Sequence, residues 1–292
     1  MPWLQLKINT SPELAPAIEK ACTAEGALAV TLEDNADQPI FEPALGETPL
    51  WQNTRVTALY DAEIETGKKL ADIEKNLRLS LLDAHWHILE DKDWEREWIQ
   101  HFKPIECAPN LWICPSWLEP PRPDAINLLL DPGLAFGTGT HPTTFLCMAW
   151  LAKQNIKNKR VVDYGCGSGI LGVASLLLGA SSVCGIDIDH QALLATQENT
   201  KRNNLDISRF PVFFPDKCPR EKADIVVANI LAGPLVELAD TLTGLLNKDG
   251  LLCLSGVLKS QYTLVEARYQ KEFDIVEVEE KDEWICISGI KR

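Results

Sequence analysis

Three glycines at alternate positions, Gly165, Gly167 and Gly169, follow a β-branched run that ends in Asp163 and Tyr164, and an apolar helix pattern opens at Ile170. Glycine lets the backbone take positive φ and approach a ligand closely. The helix that follows turns its first amides toward the same spot, which suits a carboxylate. Asp163, at the strand end, can accept from an ammonium group or from ordered water. A ligand carrying both charges fits this pair better than a pyrophosphate does, which points to S-adenosylmethionine. A second strand pattern ends at Asp187, 22 residues after Gly165, where a carboxylate grips ribose hydroxyls in sheets of this kind. Asp189 reads as the N-cap of a helix over 190–203.

A competing reading is present in the same residues. Gly167 to Gly172 spells G-x-G-x-x-G, the dinucleotide fingerprint. In that frame the first glycine lies three residues past the strand end, and with Gly165 as the start the third glycine position is Ile170. Neither frame fits the fingerprint, so S-adenosylmethionine is the reading and NAD the alternative cofactor. Asp216 is either a partner for the adenine amine or a solvated loop acid.

Asn229 closes the apolar run Ile225–Ala228 at what would be a strand C-terminus. Its amide oxygen can accept from a target N–H and aim the nitrogen lone pair at a methyl carbon; the plainer alternative is an Asn capping a turn. Methyl transfer from a sulfonium is an in-line displacement that asks the protein chiefly for orientation. The glycine- and threonine-rich segment 131–144 runs into a helix and reads as a lid. Within it Thr143 or Thr144 can cap that helix or bond the cofactor, Phe136 can cover the cofactor or the acceptor, and His141 is either a base or a structural donor.

Strands and helices alternate from Ile126 onward in a way that would position these residues. Strands are expected at 126–130, 161–164, 183–188, 210–214, 224–228, 250–255 and 284–290, with helices at 142–154, 169–179, 190–203, 233–246 and 258–271. This is an α/β pattern, a doubly wound, Rossmann-like parallel sheet with ligands at the strand C-termini, closed by a hairpin over 273–290. Upstream, strands at 3–8, 27–32, 55–60 and 86–89 alternate with helices from Ser11-Pro12-Glu13 to about Gly26 and over 68–82, with a further short helix at 93–99. That order fits a small α+β, ferredoxin-like domain over 1–103. Six prolines in 104–125 mark a linker, although Leu111–Cys114 can pair as a strand. The larger domain would then span 126–292.

The formal charge is −14. Residues 1–126 carry 22 acids against 11 bases, and 127–292 carry 20 against 17. So acidic a surface disfavours nucleic acid, whose affinity rests on cationic contacts. It attracts a basic protein, or it serves solubility alone. No apolar stretch approaches a membrane span, and residues 1–20 have no signal-peptide core. Nine cysteines stand singly with no metal spacing, as expected of reduced thiols in a cytoplasm, most of them small core residues.

Three segments together resemble one family: 136–144 (Phe-Gly-Thr-Gly-Thr-His-Pro-Thr-Thr), 163–171 (Asp-Tyr-Gly-Cys-Gly-Ser-Gly-Ile-Leu) and 228–235 (Ala-Asn-Ile-Leu-Ala-Gly-Pro-Leu). They are similar to the bacterial PrmA-type enzymes, class I S-adenosylmethionine-dependent methyltransferases that modify the eleventh protein of the large ribosomal subunit. The glycine turn is common to most class I methyltransferases, whereas the threonine-rich loop and the Asn-Ile-Leu-Ala segment are more specific. The resemblance runs the whole length. It implies trimethylation of lysine side chains and of the N-terminal amine of that basic protein, with the acidic first domain gripping it and a flexible linker giving reach. It also implies cofactor contacts at Thr144, Gly165, Asp187 and Asn229. Related amide and adenine methyltransferases carry Asn-Pro-Pro-Tyr at the acceptor edge. Asn229-Ile230-Leu231-Ala232 lacks the aromatic, which suits an aliphatic amine. A monomer without bound metal is expected. The alternative is a methyltransferase of the same fold acting on another protein or a small amine.

Overall fold

The computed structural model describes residues 3–40, 46–90, 102–131, 137 and 139–292. The chain divides into two compact units, Met1–Ile99 and Gln100–Arg292.

In the first unit the elements run β1 (Trp3–Thr10), α1 (Ala15–Ala24), β2 (Ala29–Asp34), β3 (Thr54–Asp61), α2 (Thr66–Leu77) and β4 (Ala84–Leu89). The strands form one antiparallel sheet ordered β2-β3-β1-β4, the ferredoxin-like arrangement. Period-2 alternation explains why it folds this way. Leu6 and Ile8 of β1 and Val56, Ala58 and Tyr60 of β3 turn to one face, where Ile18 of α1 and Ile73 of α2 complete the core. Helix α1 starts at Ala15 with Pro16 in its first turn, a few residues after the expected Ser11-Pro12 start. Helix α2 stops where Arg78 turns left-handed at φ 54°, five residues short of the pattern's reach. The helix expected at 93–99 lies outside the described residues.

The second unit begins with β5 (Ile105–Ala108), β6 (Leu111–Cys114) and β7 (Ile126–Leu129). These form a three-stranded sheet of their own, β6 pairing antiparallel with β5 and parallel with β7. Two expectations are corrected here. The proline-rich stretch is not a free linker, because Cys107, Leu111 and Ile113 are buried in the core of this unit. The strand at 126–130 does not join the large sheet, because an apolar run cannot specify which edge it will pair with. Its outer edge is occupied by an amide side chain: Asn203 Oδ1 accepts from Leu129 N and Asn203 Nδ2 donates to Leu129 O, both at 2.8 Å.

Next come α3 (Pro142–Lys153), β8 (Arg160–Tyr164), α4 (Ile170–Leu177), β9 (Ser182–Ile186), α5 (His190–Arg202), β10 (Val212–Phe213) and β11 (Ala223–Asn229). They are followed by α6 (Ala232–Glu237), α7 (Ala239–Gly244), β12 (Leu246–Leu258), α8 (Tyr262–Tyr269), β13 (Phe273–Lys281) and β14 (Trp284–Lys291). Seven strands make one sheet ordered β10-β9-β8-β11-β12-β14-β13. It is parallel from β10 to β12 and antiparallel at β12-β14-β13, so the closing hairpin is as expected. β8 and β11 are almost wholly buried, as central parallel strands covered on both faces must be. The helix read over 233–246 is broken at Leu238 into α6 and α7, and α8 is shorter than its pattern, preceded by a 3-10 turn.

Candidate active site

Strand order fixes where a ligand can sit. β9 and β10 extend the sheet to one side of β8, while β11 and β12 extend it to the other. The crevice of an open α/β sheet lies above the carboxyl ends of the strands at such a reversal. Tyr164 and Ala228 are in register, so Gly165 and Asn229, the next residue of each segment, arrive at the same edge. A Cβ on Gly165 would stand 2.3 Å from Ile230 Cγ2; the two segments touch.

The glycine turn is held by β9 and α5. Gly165, Gly167 and Gly169 all take positive φ, 74°, 54° and 76°. Ile186 O accepts from Gly165 N and Cys166 N at 2.7 and 3.0 Å. From α5, Thr196 Oγ1 donates to Gly167 O at 3.1 Å and Asn199 Nδ2 to Ser168 O at 2.8 Å. These bonds take up turn carbonyls; of the first-turn amides of α4, that of Gly172 goes to Asp163, which leaves those of Ile170 and Leu171 as donors at the helix start. That is a seat for a carboxylate.

The two acids play different parts. Asp163 is 1% exposed. Its Oδ2 accepts from Gly172 N at 2.9 Å, and burial pushes its carboxyl up to about 8. The expected direct contact with a ligand is not what this burial supports; Asp163 braces the turn from beneath. Asp187 is half-buried at the end of β9. Its Oδ2 accepts from Gly167 N at 2.9 Å and its Oδ1 from Asp189 N at 3.0 Å. Each carboxylate oxygen retains capacity for a further donor such as a ribose hydroxyl. Asp189 caps α5 through a bond from Gln191 N, as expected. Ile188, beside Asp187, is 83% exposed. His190 stacks on Phe214 with centroids 6.2 Å apart, and Asp216 is exposed in the 3-10 turn after β10.

Asn229 and Thr144 meet: Asn229 Nδ2 donates to Thr144 Oγ1 at 3.4 Å. Thr144 is fully buried and Asn229 is half-buried, which leaves the Asn229 Oδ1 as the acceptor for an incoming group. His141 is the N-cap of α3. Its Nδ1 accepts from Thr143 N at 3.3 Å, and its ring meets Trp284 edge-on at 4.9 Å. Burial lowers its pKa, which favours the neutral ring that a capping acceptor needs. The structure therefore gives His141 a structural part: Nδ1 caps α3 as an acceptor, and the neutral ring keeps its N–H on Nε2. Phe136 lies outside the described residues.

Sequence reasoning missed the supports of this site. Ser168 Oγ donates to Gly137 O at 2.8 Å, tying the turn to the threonine-rich segment. Asn199 Oδ1 accepts from Arg202, whose Nε pairs with Asp131 at 3.1 Å. Asp131 in turn accepts from Ser116 N and Oγ at 2.7 and 2.8 Å. The start of that segment, at Asp131, is thus tied to α5 and its middle, at Gly137, to the turn. A signal was present: Thr196, Asn199 and Thr200 are buried at helical spacing, a polar stripe on the face that should be apolar.

The residues present fit S-adenosylmethionine. Amides at the start of α4 face the crevice, Asp187 ends the neighbouring strand, the exposed apolar Ile188 stands beside it, and Asn229 stands across the edge.

A family model described as ribosomal protein L11 methyltransferase (PrmA) matches residues 2–292. A ribosomal protein L11 methyltransferase of Saccharophagus degradans is 63% identical over 292 residues, covering 100% of both chains. One of Teredinibacter turnerae is also 63% identical, over 100% of this chain and 98% of its own. Among solved structures, a ribosomal protein L11 methylase from Lactobacillus delbrueckii subsp. bulgaricus is 33% identical. It superposes with a TM-score of 0.59, over 65% of this chain and 100% of its own. The glycine turn, the Asn229–Thr144 pair and a match along the whole chain agree, and the chain belongs to the ribosomal protein L11 methyltransferase (PrmA) family, enzymes of the class I S-adenosylmethionine-dependent methyltransferase fold.

Proposed function

We propose that this chain transfers methyl groups from S-adenosylmethionine to lysine side chains and the N-terminal amine of ribosomal protein L11. One observation carries the reading. Asn229 and Thr144 come from the two most family-specific segments of the sequence, and they meet at 3.4 Å beside the glycine turn.

When bound, the cofactor supplies an electrophilic methyl group on a good leaving group. The α4 amides hold its carboxylate, Asp187 its ribose hydroxyls, and Asp163 keeps the turn in shape. Asn229 Oδ1 accepts from the amine N–H and so aims the lone pair. A lysine amine has a pKa near ~10.4 in water and must be neutral to attack; desolvation in the crevice lowers that value. A neutral amine loses one N–H with each methyl gained. By the third transfer Asn229 has no N–H to hold, so that step rests on fit alone.

The acidic first unit would hold the basic substrate while the second does the chemistry, in the cytoplasm, as a monomer, without contact to nucleic acid or membrane. The test is mass spectrometry of unmethylated large-subunit ribosomal proteins incubated with enzyme and S-adenosylmethionine. Gains in one-methyl steps on L11 alone are expected. Gains only on another protein, or none with cofactor binding intact, would overturn the substrate.

A further inference from the structure

Cys147 of α3, Cys253 of β12 and Cys286 of β14 take no part in the chemistry above, yet three separate elements bring them to one point. All three are buried, at 0%, 0% and 2% exposure. Cys253 Sγ lies 3.4 Å from Cys286 Sγ and 3.9 Å from Cys147 Sγ, and the three sulfurs fall within 4.8 Å of one another. All are free thiols.

The 3.4 and 3.9 Å separations are those of ligands around a single atom. Three sulfurs bonded at ~2.3 Å to one centre stand ~3.4 Å apart in a pyramid and ~4.0 Å apart in a plane. Three sulfur ligands select a soft centre. Charge then decides which one. The pocket is an apolar core, where a net charge is costly to bury. Three thiolates leave copper(I) with two surplus negative charges and zinc with one, whereas a trivalent centre is neutral.

We infer that Cys147, Cys253 and Cys286 form a binding site for trivalent arsenic, taken up as arsenous acid. The reaction is a condensation: As(OH)3 and three thiols give one As(SR)3 and three waters. Three As–O and three S–H bonds break, three As–S and three O–H bonds form, and no oxidant or reductant is needed. Arsenous acid is small and uncharged at neutral pH and enters by local opening of the core. The site has a route to function. Cys147 lies one helical turn after Thr144 on α3, and Cys253 lies two residues before Ser255, the register partner of Asn229.

The test is native mass spectrometry of the full-length reduced protein with one equivalent of sodium arsenite and a phosphine reductant. A single adduct is expected, heavier by one arsenic less three hydrogens, with a raised thermal midpoint because the native state is cross-linked at three points. It should be lost in each of Cys147→Ala, Cys253→Ala and Cys286→Ala, and kept in Cys218→Ala, which removes the one partly exposed cysteine. X-ray absorption at the arsenic edge of the wild-type complex needs no variant and should show sulfur neighbours only. Absence of an adduct, its survival after loss of any one of the three thiols, or oxygen in the arsenic shell would each overturn the assignment.

Discussion

Asn229 spends its donor on Thr144, at 3.4 Å, and keeps its acceptor for the amine. Asn229→Ala removes the acceptor without disturbing the buried strand behind it. The rate of methyl transfer should fall about 100-fold, the cost of a poorly aimed reactant. Cofactor affinity should change little, and single-turnover kinetics with separate binding titrations would tell the two apart. Asp163 yields a prediction of another kind. Its buried carboxyl sits at about 8, above the ordinary aspartate value, so the native state keeps a proton that the unfolded chain has released. Its stabilisation is therefore full below about pH 4 and is lost as pH rises toward about 8. Asp163→Asn should flatten that slope, and denaturation midpoints of the two proteins across the range would show whether it does. The position of Asp163 at a strand end was legible in the sequence. Its depth was not, because burial of an acid depends on what packs over it, here the glycine turn and the first turn of α4, whose Gly172 N donates to it.

At the scale of elements, the glycine turn stays in place because α4 lies unusually close to the segment after α5. A Cβ on Gly172 would stand 2.0 Å from Phe210 Cζ, and Phe210 is 1% exposed, with no free space to move into. Gly172→Ala should destabilise the protein by about 1–3 kcal/mol through overpacking. Phe210→Leu should recover part of that loss in the double variant, a coupling that chemical denaturation of all four proteins would measure. The βαβ unit that carries this contact was legible, since a β-branched run, a glycine turn and an apolar helix leave one reading. Pairing was less so. The pattern assigned 126–130 to the large sheet, and only the hairpin β5-β6 and the amide of Asn203 explain why it lies elsewhere. The break between α6 and α7 at Leu238 carries no proline or glycine at that residue to announce it.

For the whole molecule the open question is what the uneven charge does. Most of the deficit of −14 lies in the first part of the chain, and Glu63, Glu65 and Glu90 are exposed there. Solubility and substrate capture predict different behaviour. If the charge only keeps the protein dissolved, reversing these three acids to Lys leaves the kinetics unchanged. If it draws a basic protein toward the crevice, the variant loses association rate, and KM for the protein substrate rises about tenfold at low salt. That rise should shrink as salt shortens the screening length to ~10 Å at 0.1 M. The turnover number should hold, because no catalytic contact is touched. A small amine substrate has no extended charge to steer, so its KM should not move at any salt. An equal rise for both substrates would place the effect at the crevice itself and leave the first unit without a part in recognition.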